Sequence, residues 1–111
     1  MENQYGINLP LVPASSSTNG HLFYLVCRSV GQRNRLIDEL RQRDVYAVFH
    51  YLCLHKSPFY EDKYAGEALP CADRFAETLI RLPLFYELTA TQVEYICEAV
   101  KTILARDAAR P

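Results

Sequence analysis

HLFYLVCRSVGQRNRLIDELRQRDVYAVFHY, residues 21–51, reads as a strand, a helix and a second strand in direct succession. HLFYLVC (21–27) is apolar, aromatic and β-branched on both faces, as a buried strand requires. Residues 29–44 follow helical spacing: Leu36, Ile37 and Leu40 give one apolar face, and Arg35–Glu39 and Glu39–Arg43 are spaced for i, i+4 pairing. VYAVFHY (45–51) satisfies the strand criteria again. Residues 52–70 then form a long Pro-, Gly- and Tyr-rich connection, of a length that usually serves a function or covers a surface.

Working outward, ADRFAETLIRL (72–82) reads as a second helix with Phe75, Ala76, Leu79 and Ile80 on one side, and PLFYEL (83–88) as a short proline-opened edge strand. The last helix has the clearest start. Thr89 and Gln92 form a capping box, Leu88 can staple onto Val93, and Val93, Ile96, Cys97, Val100 and Leu104 repeat on one face. That face places Cys97 in the core, and Cys27 joins it at the end of a buried strand. Residues 1–20 read as an irregular lead-in, 21–105 as one domain and 106–111 as a tail.

The order β-α-β-loop-α-β-α predicts an α/β (α+β) two-layer sandwich, a three-stranded sheet with helices on one face. Strand direction stays open: a helical crossover allows parallel neighbours, whereas a third strand inserted between the first two makes the sheet antiparallel.

With 111 residues, half of them hydrophobic, the chain can build one core without staples. A net charge of −1 and a pI near 6.3 argue against a nucleic-acid or membrane-surface binder. The arginines between Arg28 and Arg43 are interleaved with Asp38, Glu39 and Asp44, a salt-bridged helix face. The opening MENQYGINLP lacks the basic and apolar regions of a signal peptide, so a cytoplasmic location with reduced thiols is expected.

HYLCLH (50–55) is the densest run of reactive side chains. A zinc site could draw on His50, Cys53, His55 and Cys71, but H-x-x-C-x-H matches no common knuckle and no tight Cys-x-x-Cys accompanies it, so no metal is assigned. A Cys/His nucleophile needs an acid to orient the imidazole, and none is evident near Cys53, which stands between Leu52 and Leu54. A strand ending in His50-Tyr51 before a long loop instead suits the wall of a pocket. No Gly-rich phosphate loop and no nucleophile elbow is present, so the sequence holds no self-contained catalytic motif.

Four separated motifs carry a resemblance: NGHLFYL (19–25), AVFHYLCLHKSP (47–58), LPCADR (69–74) and RLPLFYELT (81–89). Together, from about residue 5 to residue 104, they resemble the C-terminal small domain of the DegT/DnrJ/EryC1/StrS sugar aminotransferases. Two positions depart from the family pattern: Gly20 stands for an alanine, and Cys53 for a proline.

The resemblance implies the small domain of a fold-type I pyridoxal-phosphate (PLP) enzyme, acting on a nucleotide-linked keto sugar and an amino-acid donor in polysaccharide or lipopolysaccharide biosynthesis. The Schiff-base lysine, the acid on the pyridinium nitrogen and the phosphate cup would belong to a large PLP-binding domain, the implied partner. Lys56, Lys63 and Lys101 stand outside the family's lysine motif, so no cofactor is expected on this chain alone. His50, Tyr51 and His55 would contact substrate, with Asn19 and His21 at the domain hinge. The docking face would be apolar and uncovered, favouring homo-oligomers. A stand-alone interaction module, or the small subunit of a split enzyme, is the alternative.

Overall fold

The computed structural model describes residues 2–110. Its elements run α1 (Glu2–Tyr5), β1 (Phe23–Val26), α2 (Val30–Arg41), β2 (Val48–Phe49), a 3-10 turn (Leu54–Lys56), α3 (Pro70–Thr78), β3 (Leu79–Leu82) and α4 (Ala90–Ala108). The sheet has the order β1-β3-β2, with β3 antiparallel to both neighbours. The last strand in the sequence is therefore the central one, which resolves the open question in favour of the inserted, antiparallel arrangement.

That position explains a correction. The third strand was expected over 83–88, opened by Pro83; it is Leu79–Leu82 and stops just before that proline. A central strand pairs along both edges, and proline has no N–H to give. Leu79–Leu82 can form both ladders, so the residues read as the end of a helix are drawn into the sheet and α3 ends at Thr78. Thr78 marks the switch: its hydroxyl donates to Arg74 O at 2.7 Å, and its carbonyl accepts from Cys27 N at 2.9 Å.

The second strand was expected over 45–51 and is two residues long. The preceding residues are taken up in closing α2. Asp44 N donates to Arg41 O and Val45 N to Leu40 O, with Asp44 at φ 57°. These are the two bonds and the left-handed residue of a Schellman motif. Val45 and Ala47 then turn into the core instead of pairing.

The core joins Leu25, Cys27 and Ile80 of the sheet side to Leu36 and Leu40 of α2 and Ile96, Ala99, Val100, Ile103 and Leu104 of α4. The buried face of α4 is thus turned from the expected stripe toward Ala99 and Ile103. Val93 is 43% exposed, and Cys97, expected in the core, is exposed. The capping box of α4 forms as its sequence signals, with Thr89 and Gln92 bonding reciprocally.

The first residues contribute more than an irregular lead-in. Ile7 is fully buried, and Asn8 pairs with Val26 through two backbone hydrogen bonds of 2.9 and 3.0 Å. Buried Gln32 secures them, donating to Tyr5 O at 3.1 Å and accepting from Arg28 N at 2.9 Å, so its amide is satisfied at both ends.

The arginine-rich helix face is salt-bridged with one change of partner. Glu39 faces Arg43 at 3.7 Å as expected and Arg106 at 3.2 Å, but Arg35 reaches Asp107 at 2.7 Å instead of Glu39. Asp107 lies in residues assigned to the tail, where α4 continues.

Candidate functional site

The HYLCLH stretch leaves the sheet edge at Phe49 and runs toward the first turn of α3. His50 and Tyr51 lie with ring centroids 4.5 Å apart and their planes tilted by 55°; Tyr51 is exposed, while His50 is half-buried with Nδ1 shut away from solvent and unpaired. The 3-10 turn folds the chain back through Lys56 N to Cys53 O at 3.1 Å and Ser57 N to Leu54 O at 3.0 Å. This brings Cys53, His55 and Lys56 against Asp73.

Asp73 lies in the first turn of α3, where the helix dipole favours an anion. Its Oδ1 is 3.2 Å from His55 Nε2 and 2.9 Å from Lys56 Nζ. The Lys56 ammonium holds the Asp73 carboxyl below the usual carboxylate range, and the carboxylate in turn pushes the lysine up. Desolvation, then a hydrogen bond to Asp73, push the Cys53 thiol above its ordinary value. Tyr64 closes the far side, its ring centroid 5.4 Å from that of His55, and fixes its own loop by donating to Glu67 O at 2.6 Å.

Asp73 is the acid the sequence reading did not find. It stands 18 residues beyond His55, on another element, and only the fold joins them. Nothing in local spacing signals it.

Asn19 and His21 lie elsewhere. Asn19 Oδ1 contacts both the backbone N–H of His21, at 3.3 Å, and His21 Nδ1, at 2.5 Å, across Gly20 at φ +65°. This turn leads into β1, whose first residue Phe23 pairs with Leu82 at the end of β3, whereas Phe49 of β2 pairs with Ile80 near its start. The pair therefore sits at the opposite edge and opposite end of the sheet from HYLCLH. Within this chain the five residues singled out form two groups, not one pocket.

Two apolar clefts among the described residues open on the surface. One of about 530 Å³ lies between the Arg43–Tyr46 turn, Phe85 and the start of α4. The other, of about 390 Å³, is walled by Val12, Leu22, Leu82, Leu84, Val93 and Cys97, so Leu88 and Val93 meet at a cleft rather than in the core. Neither is lined by a lysine. Lys56 is engaged with Asp73, Lys63 lies 3.4 Å from the centroid of the Phe59 ring, and Lys101 pairs with Glu98 at 2.8 Å.

A family model described as the DegT/DnrJ/EryC1/StrS aminotransferase family matches residues 2–101. Among solved structures, the aminotransferase TlmJ from Streptoalloteichus hindustanus is 28% identical with a TM-score of 0.83, over 94% of this chain and 28% of that one. The putative sugar aminotransferase Spr1654 from Streptococcus pneumoniae, solved in a PLP form, is 25% identical with a TM-score of 0.80, over 94% of this chain and 29% of its own. An uncharacterized protein of Methanocaldococcus jannaschii is 27% identical over 96% of this chain. The chain spans 29% of that relative's length. A Schiff-base cofactor needs a lysine held in a cleft, and the three surface lysines do not fit that role.

Proposed function

Since the chain belongs to the DegT/DnrJ/EryC1/StrS aminotransferase family, we propose that it is the C-terminal small domain of a PLP-dependent nucleotide-sugar aminotransferase, walling a cleft whose chemistry a large domain supplies. The observation that carries this reading is the superposition of 94% of the chain on 28% of the aminotransferase TlmJ. The misfit of its lysines supports assigning the cofactor to the other domain, in the same or a separate chain.

The reaction is amino transfer, from glutamate, to the C4 keto group of a nucleotide-linked 4-keto-6-deoxy sugar, in the cytoplasm, for polysaccharide or lipopolysaccharide synthesis. The motifs most resemble those of dTDP-4-amino-4,6-dideoxygalactose transaminase. This chain binds and positions. Exposed Tyr51, its ring tilted against that of His50, presents a ring and a hydroxyl to the sugar nucleotide. His55 sets the course of the loop through Asp73. The Asn19–His21 turn lies at the hinge, and loop 56–70 edges the entrance and excludes water.

The test is reconstitution. The purified chain is mixed with the separately produced large domain, PLP, glutamate and a dTDP-linked 4-keto-6-deoxy sugar. A complex forms, and amino-sugar product appears only when both parts are present. Tyr51→Ala and His50→Ala lower the rate by about tenfold or more while the complex persists, the scale of a mispositioned substrate. Failure to form a complex, or borohydride trapping of PLP on a lysine of this chain alone, overturns the proposal.

A further inference from the structure

Cys53, His55 and Asp73 converge on one point. One ligand atom from each lies within 4.8 Å of the others, and His55 Nε2 to Asp73 Oδ1 is 3.2 Å. Thiolate, imidazole and carboxylate bound to one zinc, at about 2.0–2.3 Å each, stand roughly 3.3–3.7 Å from one another in a tetrahedron. The nitrogen–oxygen edge is already near that length, and the longest edge has at most about 1 Å to close.

Two features suit the cluster to a cation. His55 Nε2 and Asp73 Oδ1 are both shut away from solvent and approach to 3.2 Å without a well-formed hydrogen bond between them, while Asp73 Oδ1 holds the Lys56 ammonium at 2.9 Å. The His55 side chain is only 12% exposed and that of Asp73 25%, so water does not simply replace such a partner. Among the described residues the cation paired with Asp73 is the Lys56 ammonium, whose side chain is 59% exposed and free to swing away.

We propose that Cys53, His55 and Asp73 bind one divalent transition-metal ion, zinc by preference, with water in the fourth position. A thiolate–imidazole–carboxylate set selects zinc over magnesium or calcium, which take oxygen ligands. On binding, Cys53 Sγ loses its proton to the buffer, sulfur, nitrogen and oxygen bond to the metal, and Lys56 leaves Asp73 for solvent. Thiolate and carboxylate then balance the charge of the ion. The metal ties the end of HYLCLH to the first turn of α3, fixing the loop that carries His50 and Tyr51. Cys53, where the family has proline, makes the clamp a property of this chain.

Cobalt(II) is the probe, titrated into the metal-free chain carrying Cys71→Ser and Cys97→Ser, which removes the two exposed thiols. One equivalent binds with a thiolate-to-cobalt charge-transfer band and the strong visible bands of four-coordinate cobalt, and zinc displaces it. Cys53→Ala abolishes the charge-transfer band. Asp73→Asn, checked by circular dichroism for a native fold, weakens binding by more than the ~100-fold that altering an outer-shell partner can cost. Lys56→Met tightens it, because the competing cation is gone. No saturable binding, cobalt bound without a thiolate band, or a band that survives Cys53→Ala overturns the proposal. Should Cys53→Ala fail to fold, the Asp73→Asn and Lys56→Met titrations decide, and unchanged affinity in both overturns it.

Discussion

Cys27 closes β1 with 2% of its surface exposed, and burial pushes its thiol up to about 11. At pH 8 only about a thousandth of it is thiolate, the reactive form. A thiol reagent at that pH therefore labels exposed Cys71 and Cys97 readily and leaves Cys27 intact until the chain unfolds, as mass spectrometry of the digested product will report; rapid native labelling of Cys27 would contradict its placement. The sign of the pH effect follows. Folding raises this pKa, so the contribution is complete below the ordinary thiol value near 9 and is lost as pH rises from there through about 11. Denaturation midpoints fall over that window, and Cys27→Ala flattens the fall. Side by side, Cys27 and Cys97 show what a sequence reveals of single residues. A strand apolar on both faces marks its cysteine as buried whichever way it turns, whereas on a helix one step of about 100° separates core from cleft. At the candidate site His50, Tyr51, Cys53 and His55 are legible as a local run, but their acid is not, because Asp73 reaches them only through the packing of α3.

At the scale of elements, the C-terminus of α2 carries a cost that a single change removes. Asp44 holds the left-handed position of the Schellman motif, where a Cβ meets the following carbonyl and glycine is the usual occupant. Asp44→Gly is expected to stabilise the chain by about 1 kcal/mol, read as a higher urea midpoint at unchanged slope, while Asp44→Ala gains nothing. The helices were the legible elements: α2 and α4 follow from apolar periodicity and from the Thr89–Gln92 box. Strands were legible only where tertiary pairing does not override local pattern. VYAVFHY is apolar, aromatic and β-branched like a buried strand, but the Schellman closure consumes its first residues. LIRL continues a helical period, but two unsatisfied strand edges claim it. Pro83 was the sequence's own marker for the end of that strand, read instead as a beginning.

The whole molecule is looser than its length requires. Its radius of gyration is 15.8 Å, against about 13 Å for a compact domain of this size. The excess lies in segments that reach outward, and they are apolar: Leu11, Tyr51, Leu52, Leu54, Phe59 and Tyr86 are all exposed. A surface of this kind belongs against another body. The chain alone is expected to self-associate with rising concentration in sedimentation-velocity runs and to revert to a 1:1 complex when its large domain is added; a concentration-independent monomer would count against an uncovered docking face. The strand order has a further consequence, for synthesis. Because β3 is both central in the sheet and late in the chain, β1 and β2 emerge from the ribosome before their shared strand partner, with only Asn8 at hand to bridge Val26. No ladder can close until Leu79–Leu82 has been made. Every nascent chain therefore passes through a stage of thirty residues, from Phe49 to Leu79, in which two open edges await one strand. A chaperone would meet this chain at that stage.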